Sequence, residues 1–267
     1  MSKQKLTRRE ILTSAGALGV GLGVGGAVTG QGSARPGGEG QGGEPASLIA
    51  FAGAVERGDG LCVGFPLYKG VTLLDFAGAT QVFKFAGLTP VWLAAQNGPI
   101  ETTEGVSVLP THTFNNHPKL DVLFVPGGGP DGVIAAMFDP VFRRFLSQAA
   151  RQASWSGSVC VGAFILAAAR LLDGCRATTY WSQIPNLQLL REKMKIEVAP
   201  EYPRRLIDSE RRRFTGGGVS SSIDLALELV EVLTKSREVA QRAQLAIQYA
   251  PGPHIHAGDP SDRKSVV

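Results

Sequence analysis

From residue 61 onward the chain alternates short apolar runs with longer amphipathic stretches. The apolar runs are Leu61–Tyr68 (LCVGFPLY), Pro90–Gln96 (PVWLAAQ), Val122–Val125 inside KLDVLFVPGGGP, and Ser156–Cys160 (SGSVC). Runs of this length bounded by Gly or Pro predict buried strands. Between them, Val71–Gly87 places Leu74, Ala77, Val82 and Phe85 at helical spacing. Asp139–Gln152 predicts a helix with Asp139 as N-cap and Pro140 in the first turn. Val161–Leu172 predicts the helix that follows SGSVC, and GVSVLPTHTF an extended segment. Farther on, ATTYWSQIPNLQLLREKM reads as a strand end and a helix, and RRLIDSERRRFTGGG as a hairpin running into a glycine loop. Helices over Ser221–Leu233 and within SREVAQRAQLAIQYAP close the pattern. Strands alternating with helices of this length predict an α/β fold, a parallel sheet covered on both faces. Sites in such sheets lie at the carboxyl ends of strands.

The first sixty residues are different. Lys3, Lys5, Arg8 and Arg9 precede a weakly apolar, glycine-rich stretch from Ile11 to Val28, and GSA at Gly32–Ala34 offers a cleavage site. The Arg8–Arg9 pair ahead of Ile11–Leu12 is similar to a twin-arginine export motif. Residues 1–34 therefore read as an export signal that engages the twin-arginine machinery, and 35–58 as a Gly/Pro-rich linker. The remaining expectations are a single domain over 59–250 and a tail over 251–267. The expected location is periplasmic or otherwise extracytoplasmic, with a membrane anchor by an uncleaved signal as the alternative.

Composition excludes some partners. The net charge of +4 is carried in small groups, Arg8–Arg9, Arg204–Arg205 and Arg211–Arg213, and aromatics are only 7% of the chain. A nucleic-acid footprint would be a broader stripe with interleaved aromatics, so these groups read as solvated surface. Three cysteines, Cys62, Cys160 and Cys175, leave at least one outside any intramolecular disulfide. Cys62 reads as a core residue and Cys175, just past Gly174, as an exposed one.

Cys160 stands where a buried strand hands over to a helix, with Gly162 two residues on. That is the placement of a nucleophile elbow, where helix N-terminal amides favour a thiolate. Gly127, Gly128 and Gly129 mark a second strand end whose backbone N–H groups suit an oxyanion. Gly216–Gly218 mark a third, but no Gly-Lys-Ser/Thr follows and a P-loop is excluded. Of the histidines, only His112 is a candidate to approach Cys160 through the fold, while His254 and His256 read as tail residues rather than metal ligands.

Five stretches, LLDFAGATQVF, LDVLFVPGGGP, SVCVGAFILAAARLLDGCRATTYW, FTGGGVSSSIDLAL and QLAIQYAPGPHIHAGDP, agree in order and spacing with one family. The chain resembles the ThiJ/PfpI family, related to class I glutamine amidotransferases, and within it the isonitrile hydratase branch. The resemblance spans about Leu61 to Pro260. It implies a flavodoxin-like three-layer sandwich with a mostly parallel central sheet, a homodimer, a small-molecule substrate, and no metal or organic cofactor. It implies Cys160 as nucleophile and Asp75, in the Leu73-Leu74-Asp75 motif, as the acid beside it. Gly127, Gly128, Gly129, Val161 and Gly162 would form the anion pocket, with Tyr180 and Trp181 at its side. The implied reaction is hydration of an isonitrile to an N-substituted formamide. The chain departs from that branch at Val161, where threonine is usual, and at Tyr180, where relatives often carry histidine. A glyoxalase- or deglycase-like activity on α-oxoaldehydes and a non-catalytic extracytoplasmic binding role stay open beside it. Related domains also form the N-terminal halves of AraC-type regulators, but no helix-turn-helix pattern follows Pro251, and an export signal argues against DNA binding.

Overall fold

The structure is a computed structural model that describes residues 60–252 and 258–260. The expected signal, the linker, and His254 and His256 lie outside the described residues. Strands β1 (Cys62–Pro66), β2 (Thr89–Ala94), β5 (His112–Thr113), β6 (Val122–Val125), β7 (Trp155–Ser158), β10 (Arg205–Asp208) and β11 (Arg213–Gly216) form one sheet. Two small pairs stand apart from it, β3 (Ile100–Glu101) with β4 (Ser107–Val108), and β8 (Arg176–Ala177) with β9 (Glu197–Val198). The helices are α1 (Leu73–Phe85), α2 (Pro130–Phe138), α3 (Pro140–Gln152), α4 (Gly162–Ala168), α5 (Ile184–Gln188), α6 (Arg191–Met194), α7 (Ser221–Thr234) and α8 (Arg237–Ala246).

The sheet order is β10-β11-β7-β6-β1-β2-β5, parallel throughout except for the β10–β11 hairpin. β1 and β6 are buried at every residue, as strands covered on both faces must be. From β1 the chain moves outward through α1 to β2; from β6 it moves the other way through α2 and α3 to β7. Right-handed crossovers in opposite directions put α1 and α3 on opposite faces. α1 packs on α7 and α8, and α2 packs on α3 and α4. The result is the expected three-layer sandwich. The reversal between β1 and β6 leaves a crevice at their carboxyl ends.

Several local expectations hold in detail. Asp139 caps α3 by accepting the Val141 N–H at 2.8 Å, and α7 and α8 begin where predicted. Others need correction. On α1, Leu74 and Phe85 are exposed, while Asp75, Phe76, Ala79, Val82 and Phe83 are buried. The helix carries apolar residues all round, so spacing alone does not select the core face. Phe76 selects it by packing edge-on against Trp92, ring centroids 5.0 Å apart. α4 ends at Ala168 rather than Leu172 because Arg170 adopts a left-handed conformation (φ 62°). That turn drops Leu172 into the core. Cys175 is buried, not exposed: it leads into the β8–β9 pair, with Asp208 and Arg213 of the β10–β11 hairpin near its thiol. Its carbonyl accepts the Glu197 N–H at 2.9 Å.

Candidate active site

β7 stops at Ser158, and Cys160 follows with φ 54°, a left-handed backbone that a β-carbon makes costly. The strain is held by neighbours. The Cys160 N–H faces the carbonyls of Gly217 (2.7 Å) and Gly216 (3.1 Å). The Thr179 hydroxyl donates to the Cys160 carbonyl at 2.8 Å. The side chain is thereby set at the carboxyl end of the sheet, where the N–H groups of Val161 and Val219 meet its sulfur and favour the thiolate. Burial nonetheless pushes the thiol well above its ordinary value, and a charged Asp75 adds to the rise. The expected amides do favour the thiolate, but at 6% exposure loss of water outweighs them.

Asp75, in the first turn of α1, is fully buried. Its Oδ2 accepts the Gly127 N–H at 2.8 Å, and its Oδ1 has no hydrogen-bond partner. Burial, opposed by the Gly127 N–H and aided by the charge of Glu104, raises its pKa from 3.8 to about 8. At neutral pH the carboxyl therefore carries a proton. With Oδ2 occupied as an acceptor, that proton belongs on Oδ1, which becomes a donor. Gly127 is the spacer: a β-carbon there would lie 2.9 Å from Asp75 Oδ2, from Cys160 Cβ and from Val161 N.

The five amides expected in the anion pocket do not all face it. Gly127 N–H is taken by Asp75, Gly129 N–H by Gly70 O (2.8 Å), and Gly162 N–H by Val159 O (3.0 Å). Val161 N–H addresses the sulfur. Among the described residues, Gly128 N–H carries no hydrogen bond and is the open donor. Gly162 serves packing, since a β-carbon there would sit 2.6 Å from Val125 O. Tyr180 and Trp181 are half-buried, their ring centroids 5.8 Å apart. The Tyr180 ring lies over Gly218, where a β-carbon would come within 2.6 Å of it, one residue before Val219.

His112 does not join the site. It lies on β5, four strand spacings from β7 or roughly 19 Å, with its ring against Thr111 Oγ1 at 3.0 Å. Among the described residues no group of three or more His, Cys, Asp or Glu side chains is placed to hold a metal ion. None of the described helices is long and apolar enough to cross a membrane. A groove of about 410 Å³ lies between β10, α7 and α8, lined by Arg205, Asp224, Glu228 and Arg237, and contains none of these site residues.

Three site residues escape the sequence reading. Val219 lies in the TGGGV loop, whose glycines draw attention away from the valine beside them. Tyr68 lies just past the first strand, at the carboxyl end where the fold rule points. Glu104 comes from a loop distant in sequence, and its Oε2 accepts the Leu73 N–H at the start of α1 at 3.0 Å.

Comparison with known proteins agrees with this fold. The DJ-1/PfpI family model matches residues 62–232, and the chain belongs to that family. It is 36% identical over 208 residues to an isonitrile hydratase of Pseudomonas putida, covering 78% of this chain and 86% of that one. The crystal structure of a ThiJ/PfpI family protein from Pseudomonas syringae matches with TM-score 0.69 at 29% identity, covering 84% of this chain and 90% of that one. The HTH-type transcriptional regulator GbdR of Pseudomonas aeruginosa is 27% identical over 178 residues, but the match spans only 45% of its length.

Proposed function

We propose that the protein hydrates an isonitrile to an N-substituted formamide through Cys160 and Asp75. The observation that carries this reading is the fully buried carboxyl set beside the cysteine across Gly127, whose burial favours the protonated acid. An isonitrile carbon must gain both a sulfur and a hydrogen. Asp75 gives its proton to that carbon while the Cys160 sulfur bonds to it, and the S–H proton passes to the carboxylate. The product is a thioformimidate, R–N=CH–S–Cys160, and Asp75 is again protonated. Water then adds to the carbon, one of its hydrogens goes to nitrogen, the C–S bond breaks, and the other hydrogen returns to sulfur. The sum is R–NC plus water to R–NH–CHO. A resting thiol and a resting carboxylic acid are the states this relay needs. The 36% identity to an isonitrile hydratase supports the substrate class.

Purified protein given an aryl isonitrile is expected to yield the formamide on chromatography. No product from the wild type, or equal product from Cys160→Ala, overturns the proposal. On Arg8–Arg9 and the stretch after them we also propose export by the twin-arginine route, and on the family resemblance a homodimer. Continued export of an Arg8→Lys, Arg9→Lys variant would contradict the twin-arginine route.

A further inference from the structure

Tyr68 lies just beyond β1, and its ring packs edge-on against Phe142, centroids 5.6 Å apart. Its hydroxyl donates to Pro126 O at 3.2 Å, a long bond for a phenol. A β-carbon on Gly128 would lie 2.9 Å from the same hydroxyl oxygen. The phenol therefore spans the Pro126–Gly128 segment. The middle residue of that segment, Gly127, holds the Asp75 carboxyl and separates it from Cys160. The residue as a whole is half-buried; its hydroxyl is the enclosed end, close enough to Asp75 and Cys160 to feel their charges.

We infer that Tyr68 is a third catalytic residue, whose hydroxyl leaves Pro126 O and donates to the substrate nitrogen. The role presupposes the hydratase reading. The adjoining residue of the elbow, Val161, offers no hydroxyl for this task, and the Gly128 N–H is the neighbouring open donor. Nitrogen must be protonated as water attacks the thioformimidate carbon. Tyr68 supplies that proton from its O–H and regains one from the attacking water, so the net balance of the reaction is unchanged. Burial, with the charges of Asp75 and Cys160 acting on it, pushes the phenol well above its ordinary value. It stays a donor across the working pH range.

The test is Tyr68→Phe, which keeps the ring and its contact with Phe142. The expected result is a fall in kcat of about 100-fold, little change in KM, an unchanged melting temperature, and build-up of the Cys160 adduct seen by intact mass. An unchanged kcat with no adduct build-up overturns the role. A variant that melts lower and no longer forms the adduct also overturns it, because it marks Tyr68 as structural. A wild type that makes no formamide overturns the hydratase reading and the Tyr68 role together, an outcome separate from the other two.

Discussion

Asp75 and Cys160 face each other across the α-carbon of Gly127, with no room for a methyl group between them. The same glycine donates its N–H to Asp75 Oδ2 at 2.8 Å. Gly127→Ala should therefore damage the site more than the fold. A methyl at 2.9 Å from the carboxyl and from Cys160 Cβ forces one of them to move. Activity is expected to fall by at least about 100-fold, and thermal melting to drop by a few degrees. Wild-type activity in this variant, measured alongside its melting temperature, would refute the spacing.

The buried carboxyl gives stability a definite pH dependence. Asp75 is raised from 3.8 to about 8 in the folded state, so between those values the native state binds a proton that the unfolded state releases. The stabilisation from the neutral acid is complete below the lower value and is lost as pH rises through the upper one, on the order of 5 kcal/mol in all. Asp75→Asn holds a neutral group at every pH. Its melting temperature, followed from pH 4 to 9, is expected to rise relative to wild type as pH increases. Parallel curves would show that Asp75 is ionised in the folded protein.

Glu104 adds to the rise in the Asp75 pKa that burial causes. It holds the first N–H of α1 at Leu73, two residues before Asp75, and its charge raises the Asp75 pKa. Glu104→Gln keeps an acceptor for Leu73 and removes the charge. If Asp75 must be protonated for turnover, the alkaline limb of the pH–rate profile moves to lower pH in this variant. The groups facing Asp75 from neighbouring segments, Tyr68 and Cys160, are unchanged by the substitution. A limb that stays in place would show that another group sets it.

Much of this was legible in the sequence because strand-to-helix punctuation is local. The strand ends at Val125 and Ser158, the Asp139 cap and the hairpin before Phe214 each announce themselves within a few residues. Cys160 was legible for the same reason, at its strand-to-helix elbow, whereas Asp75 entered only through the family resemblance. What stayed hidden depends on contacts far apart in sequence. Cys175 is buried with Asp208 and Arg213 of the β10–β11 hairpin near its thiol. The buried face of α1 follows from Trp92 on β2. The thiol is raised because the completed fold excludes water from Cys160, a property no local pattern carries. Nor does local pattern reveal that three of the glycine-rich amides are already used inside the protein.

The most direct test traps the covalent step. Wild-type protein mixed with an aryl isonitrile and quenched in acid should carry one added isonitrile mass on the peptide containing Cys160. Asp75→Asn should form that adduct at least about 100-fold more slowly. An adduct formed at the wild-type rate without Asp75, or formamide released by Cys160→Ala, would contradict the account.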